Sequence, residues 1–343
     1  MTKPFGRALV VGAGAFGTSI ASALANNFEE VYLKVRSDDV YQSLKKGRND
    51  VYLPGHELAS NIIGEKDWEA IDEKTKEFDL IVSGLPTAGI KDFFTTHHER
   101  FEKYLNGNTP FVSLSKGIDP VTLELPDDLF FDLFPKQKDM FTFLSGPSFA
   151  KEIMDEQITL VTVAGRSRPV LVKLAAMFEC GYFKIFPSYD VKGVLLGGAL
   201  KNVIAIAGGV IEGLGFNHNT RAAMITRGIA EMLRFGRVYN ARPETFYGLS
   251  GMGDLILTTT GGLSRNKTFG LEIAKGRSPQ EILDSQRTVV EGFKTAKAAK
   301  LVCDKYEISA RIFNGVYEVL HNNKQPEEVI RGLMKVPTRF ELE

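Results

Sequence analysis

Ala8-Leu9-Val10-Val11-Gly12-Ala13-Gly14-Ala15-Phe16-Gly17 is the stretch that decides the fold. Four apolar residues read as a buried strand. The spacing G-x-G-x-x-G follows at once and opens an alanine-rich helix from about Gly14 to Asn26. Glycines between a strand and a helix permit a tight turn and let backbone N–H groups approach a pyrophosphate at the helix N-terminus. Alone the spacing is weak and also describes a structural turn. A first strand before it and a second strand, Glu30–Val35, at the right distance after it point to dinucleotide binding. Gly12, Gly14 and Gly17 are therefore candidate cofactor residues.

Short apolar runs alternate with helical stretches through the first half of the chain, the pattern of a mainly parallel sheet wound with helices. Asp79–Gly84, Pro110–Ser115, Phe141–Leu144, Ile158–Val163 and Phe183–Phe186 continue the series of strands. Beyond Asp190 the character changes. Val191–Gly213, Thr220–Tyr239, Pro279–Leu283, Gly292–Tyr306, Arg311–His321 and Pro326–Met334 read as helices, with Thr220, Ser278 and Gln325 at N-terminal starts. The expected fold is α/β: a doubly wound Rossmann-type sheet domain over 1–189 and an all-helical domain over 190–343. The ligand site is expected between the two, where pockets are often found.

Composition narrows the function. Lys+Arg and Asp+Glu each number 42, so the net charge is zero, which argues against broad nucleic-acid or anionic-membrane binding. The two cysteines, Cys180 and Cys303, have no metal-ligand spacing, and free thiols suit a reducing cytoplasm. The start of the chain has no signal-peptide pattern. Only Val191–Ile211 approaches membrane-spanning length, and Lys201-Asn202 with five interior glycines argues against a lipid-facing span.

That same helix carries the sharpest chemical signal. It is apolar on all sides, so it is expected to be buried, and a lysine at its centre, Lys201, needs a partner or a ligand. Buried lysines shift their pKa readily and can then move protons; a lysine whose head snorkels to water is the plainer alternative. At the end of the second strand, Leu33-Lys34-Val35-Arg36-Ser37-Asp38 bears on cofactor choice. Arg36 with Ser37 suits a 2′-phosphate, so NADP(H) is favoured with NAD(H) also accepted; solvated strand-end cations are the alternative. Ser83-Gly84-Leu85-Pro86-Thr87 fits either the nicotinamide side of the crevice or a simple strand-to-helix connection.

Three further segments place polar groups in turn-like sequence: Ser113-Leu114-Ser115-Lys116-Gly117-Ile118, Leu144-Ser145-Gly146-Pro147-Ser148-Phe149-Ala150, and Gly253-Asp254 through Thr258 to Ser264-Arg265-Asn266. Planar guanidinium and hydroxyl donors together suit a phosphate monoester. Each also has a plain reading: Lys116 as a surface lysine, Asp254 as a helix N-cap.

Together with Gly197-Gly198-Ala199-Leu200-Lys201-Asn202-Val203-Ile204-Ala205-Ile206-Ala207-Gly208 and Val289-Val290-Glu291-Gly292, these segments resemble the bacterial-type NAD(P)-dependent glycerol-3-phosphate dehydrogenases over nearly the whole chain. The resemblance implies interconversion of dihydroxyacetone phosphate and sn-glycerol 3-phosphate, which feeds glycerophospholipid synthesis. It implies Lys201 as proton donor and acceptor, Asp254 as the residue that holds it, and Asn202 and Thr258 as supporting donors. Substrate contacts would be Lys116, Gly146, Ser148, Lys201, Asp254, Ser264, Arg265 and Asn266. Cofactor contacts would be Ala15, Phe16, Arg36, Lys116, Ala150, Arg265, Val289 and Glu291. The chain departs from the family pattern at Leu195, where an acidic residue is common, at Thr259, where cysteine is frequent, and at Lys34, where an aromatic residue is frequent. Two other readings stay open: a dehydrogenase of another small oxo-acid, and a nicotinamide-sensing binding protein. A homodimer is expected from the large helical domain.

Overall fold

The computed structural model describes residues 3–74, 77–105, 107, 109–285, 290–335 and 337. By packing, the chain divides into two units: Met1–Ser115 with Pro126–Val191, and Lys116–Leu125 with Lys192–Glu343. The segment Lys116–Leu125 groups with the helices although it comes shortly after a strand; the Tyr239 hydroxyl donates to the Leu123 carbonyl at 3.2 Å.

Among the described residues the first unit is built on eight strands: β1 (Phe5–Val11), β2 (Phe28–Lys34), β3 (Ile62–Glu65), β4 (Leu80–Ser83), β5 (Phe111–Ser113), β6 (Phe141–Ser145), β7 (Thr159–Gly165) and β8 (Phe183–Ser188). They lie in the order β3-β2-β1-β4-β5-β6-β7-β8. All neighbours pair in parallel except β6 and β7, which run antiparallel. The chain winds one way from β1 and the other way from β4, so their carboxyl ends, with Val11 opposite Ser83, form the switch point of a doubly wound sheet. The seven expected strands are present. The eighth, β3, escaped the sequence reading because Ile62-Ile63-Gly64-Glu65 is short, contains a glycine and sits at an edge, so it shows no continuous apolar run. The helix Ala15–Leu24 buries Ile20, Ala21 and Leu24 in the same core as Ala8, Val10, Val31 and Leu33. A second cluster packs aromatic rings: Phe94 lies 4.8 Å from Phe101, 5.7 Å from Phe111 and 5.1 Å from Phe130 between centroids.

The second unit is helical and centred on Val191–Gly213. This helix is long and apolar enough to cross a membrane, yet 94% of its most apolar window is buried inside the structure. Val194, Leu196, Ala199, Leu200, Val203 and Ile204 are wholly buried. It approaches the helix Arg265–Ala274 backbone to backbone: a Cβ at Gly209 would lie 2.0 Å from the Lys267 carbonyl oxygen.

Ser278 caps Pro279–Asp284 through a full capping box with Glu281, and Gln325 precedes Pro326–Met334. Thr220 is not a cap: the helix begins at His218 with Asn217 at the N-cap, and Thr220 lies inside its first turn. The helices Asp254–Thr260 and Arg265–Ala274 were not foreseen. Thr258-Thr259-Thr260 is a β-branched run with low helix propensity. Each hydroxyl instead donates to the carbonyl four residues back, at 2.6, 2.7 and 2.7 Å, which accommodates the run in a helix.

Candidate active site

At the carboxyl edge of the sheet, the first unit folds Gly12–Gly17 into a turn in which each glycine has a distinct reason. Gly12 adopts φ +105°, a conformation that favours glycine. A Cβ at Gly17 would sit 2.0 Å from the Gly12 carbonyl oxygen, so only glycine lets the helix close on the turn. At Gly14 a Cβ would meet nothing within 4 Å; this open space faces the start of the helix Ala15–Leu24, and Gly14 at its N-cap supplies no side-chain cap. A helix start left open in this way fits an incoming pyrophosphate.

The end of β2 distributes its charges unequally. Lys34 is not a solvated strand-end cation: its ammonium donates to the Val35 carbonyl at 3.1 Å and the Lys66 carbonyl at 2.6 Å, and lies 4.9 Å from the Trp68 ring centroid. Burial lowers its pKa. Asp38 pairs with the Lys66 ammonium at 2.6 Å. Arg36 is exposed beside them. In the loop after β6, Gly146 takes φ +142° and the Ser148 hydroxyl donates to its carbonyl at 2.8 Å, just before Ala150 opens a short helix.

Within the second unit the structure gives Lys201 its partner. Its ammonium donates to Asp254 Oδ1, and the Lys116 ammonium donates to Asp254 Oδ2 at 3.1 Å. Lys201 and Asp254 are 6% and 1% exposed, so neither snorkels to water. Asp254 opens the helix Asp254–Thr260 after a single π turn, Leu249–Gly253. Its carboxylate therefore serves the two lysines and does not cap a helix. Burial would raise the Asp254 carboxyl, but Lys116 and Lys201 outweigh it and hold it below its ordinary value. Burial lowers the Lys201 ammonium to about 8, against the pull of Asp254 and with Lys116 adding to the fall. Two ammoniums on one buried carboxylate leave one positive charge over, placed to meet negative charge on a ligand oxygen.

The expected supporting donors are arranged differently from the sequence reading. The Thr258 hydroxyl is spent on the Asp254 main-chain carbonyl at 2.6 Å, with Asp254 Oδ1 only at 3.4 Å. Asn202 Nδ2 donates to Gly198 O at 3.3 Å, and its Oδ1 accepts from Asn266 Nδ2 at 2.9 Å. Asn266 Oδ1 then accepts from Gly292 N at 3.0 Å. This chain ties the central helix to the starts of Arg265–Ala274 and Glu291–Tyr306. Ser264 caps the former, its hydroxyl accepting from Lys267 N at 3.2 Å, and Arg265 stands exposed at that same start. Glu291 opens the other helix, where burial raises its carboxyl to about 7 against the opposing field of Arg265. Leu195 is a buried apolar residue of the central helix, and Thr259 is wholly buried. Val289 lies outside the described residues. Asn49, which the sequence reading passed over, bonds to the glycine turn; no local motif marks it.

A dinucleotide turn on a doubly wound sheet, followed by a helical unit with a buried, charge-paired lysine, is the build of a nicotinamide-dependent dehydrogenase. Comparison with known proteins narrows the class. Models of the NAD-dependent glycerol-3-phosphate dehydrogenase N-terminus and C-terminus match residues 8–170 and 190–331. The glycerol-3-phosphate dehydrogenase [NAD(P)+] of Leptospira biflexa is 39% identical over 327 residues, covering 95% of this chain and 96% of that protein. The enzyme of the same name from Syntrophotalea carbinolica is 38% identical, covering 97% of this chain and 99% of its own. A crystal structure of glycerol-3-phosphate dehydrogenase from Coxiella burnetii superposes with a TM-score of 0.86 at 28% identity, covering 97% and 99% of the two chains. The chain belongs to the NAD(P)-dependent glycerol-3-phosphate dehydrogenase family and is an oxidoreductase.

Proposed function

We propose that this chain interconverts dihydroxyacetone phosphate and sn-glycerol 3-phosphate with NADPH or NADH, with Lys201 moving the proton. The observation that carries the assignment of roles is the buried Lys201–Asp254–Lys116 cluster. Bound nicotinamide supplies or accepts the hydride; the remaining work belongs to side chains. Negative charge grows on the carbonyl oxygen during reduction. Lys201 in its ammonium form donates a hydrogen bond and then a proton to that oxygen, and a pKa near 8 leaves it charged at neutral pH yet able to give the proton up. Asp254 keeps the ammonium in place, and Lys116 adds a second positive charge to the same oxygen-binding region.

The substrate phosphate is assigned to the start of the helix Arg265–Ala274, where the Arg265 guanidinium, the Asn266 amide and the helix dipole favour an anion. Ser264 contributes by setting that helix start. Gly146 and Ser148 are assigned to the substrate as well, and Ala15, Phe16, Ala150 and Glu291 to the cofactor, on the family pattern. Arg36 is assigned to the 2′-phosphate of NADPH, since Asp38 is already paired with Lys66. The product would supply glycerophospholipid synthesis, in a cytoplasmic setting and in a homodimer. Steady-state oxidation of NADPH and NADH with dihydroxyacetone phosphate, set against unphosphorylated dihydroxyacetone, tests the assignment. Equal rates with both ketones would remove the phosphate anchor, and binding of nucleotide with no turnover would favour a sensor.

A further inference from the structure

Asn49 lies in the loop between the helix Asp38–Leu44 and β3, 36 residues beyond Ala13. It is completely buried. Its Nδ2 donates to the Ala13 carbonyl at 3.0 Å and to Thr18 Oγ1 at 2.8 Å. Ala13 is the second residue of the glycine turn, and Thr18 follows the turn's last glycine. One amide thus joins the turn to the first turn of the helix it opens. The amide orientation is set by chemistry, because a carbonyl oxygen only accepts and so must face the nitrogen. Asn49 is itself anchored: its main-chain carbonyl accepts from Leu53 N at 2.8 Å and Tyr52 N at 3.2 Å, and the next residue's N–H donates to Ser43 Oγ at 2.9 Å.

The consequence follows from peptide geometry. The Ala13 carbonyl and the Gly14 N–H belong to one planar trans unit and point in opposite directions. Fixing the carbonyl therefore fixes the N–H. Gly14, on one side of this peptide, has no Cβ to restrict its rotation, so its orientation depends on what outside the turn holds it. We propose that Asn49 is a positioning residue for the cofactor: by holding the Ala13 carbonyl it aims the Gly14 N–H outward, toward the dinucleotide's pyrophosphate. This rests on the reading of Gly12–Gly17 as the dinucleotide site.

The test uses the full chain and titrates NADPH and NADH by fluorescence, with melting temperature and backbone amide exchange measured alongside. Asn49→Ala weakens both nucleotides alike, by roughly tenfold, since the pyrophosphate is common to them. The Michaelis constant for dihydroxyacetone phosphate at saturating NADPH stays as in the wild type. Asn49→Asp keeps the shape but sets an acceptor against the Ala13 carbonyl, so it binds nucleotide no better than Asn49→Ala. Thr18→Val leaves the Ala13 bond in place and stays near wild-type affinity. In the wild type, NADPH slows exchange of the Gly14 amide, a readout that needs no variant to fold. An Asn49→Asp protein that binds better than Asn49→Ala would make the role one of packing. Unchanged affinity in both variants, or a Gly14 amide indifferent to NADPH while the nucleotide binds, would also overturn the proposal. Failure of the wild type to bind either nucleotide would instead overturn the reading of the turn.

Discussion

Asp254→Asn removes the carboxylate between the buried Lys201 ammonium and the part-buried Lys116 ammonium and nearly preserves the shape of the side chain. In the wild type, burial and Lys116 lower Lys201 while Asp254 supports it, and the balance stands at about 8. Breaking a buried ion pair from one side costs about 3 kcal/mol or more. Lost from the ammonium form alone, that is roughly a hundredfold in proton affinity, enough to carry the Lys201 midpoint from about 8 to below neutrality. In the proposed mechanism reduction uses the ammonium, so its rate should be flat below the midpoint and fall as pH rises through it. Oxidation of glycerol 3-phosphate uses the amine and rises through the same midpoint. The assay is kcat/KM for dihydroxyacetone phosphate against pH, because this parameter reports groups of the free enzyme. The falling limb should move to lower pH in Asp254→Asn, so the variant's deficit is large at pH 7.5 and shrinks toward pH 6. A limb that stays where it is, with one uniform loss at every pH, would refute the coupling of Lys201 to Asp254.

Three further outcomes follow from the same geometry. Lys201→Met keeps the volume of the stem but removes proton and charge; turnover should drop on the order of a hundredfold or more, with nucleotide affinity little changed, and a variant that keeps most of its turnover would strip Lys201 of its role. Arg36→Ala should weaken NADPH by about 1.5–3 kcal/mol, the size of a charge-assisted hydrogen bond, and NADH much less; equal losses measured by titration would make Arg36 a solvated residue. Arg265→Ala should raise the Michaelis constant for dihydroxyacetone phosphate and lower its turnover, while unphosphorylated dihydroxyacetone is nearly indifferent, because positioning energy from the remote phosphate is lost in the transition state too.

Much of this protein is legible locally. The Gly12–Gly17 turn declares itself because Gly12 and Gly17 answer to backbone constraints within a few residues of each other, while Gly14 leaves the helix start open. The central helix declares its burial through unbroken apolar sequence, and Lys201 declares a need for a partner through the cost of an unpaired charge there. Those constraints act through neighbours along the chain, so order and spacing alone reveal them. The identity of the partners does not travel that way. Asp254 meets Lys201 from 53 residues away and Lys116 from 138 away, and the Thr258 hydroxyl that read as a donor to the site is consumed by its own helix. Asn202 Oδ1 likewise finds its partner in Asn266, 64 residues on. Asn49 has no motif at all, since a buried amide 36 residues downstream acquires its meaning only when the loop that carries it folds onto the Ala13 carbonyl. Periodicity and turn chemistry are properties of a chain segment, so seven of the eight described strands, the turn and the buried lysine could be read from residue order alone. Hydrogen-bond partners and pKa shifts depend on which distant groups share a dry enclosure, and that was decided by the tertiary structure.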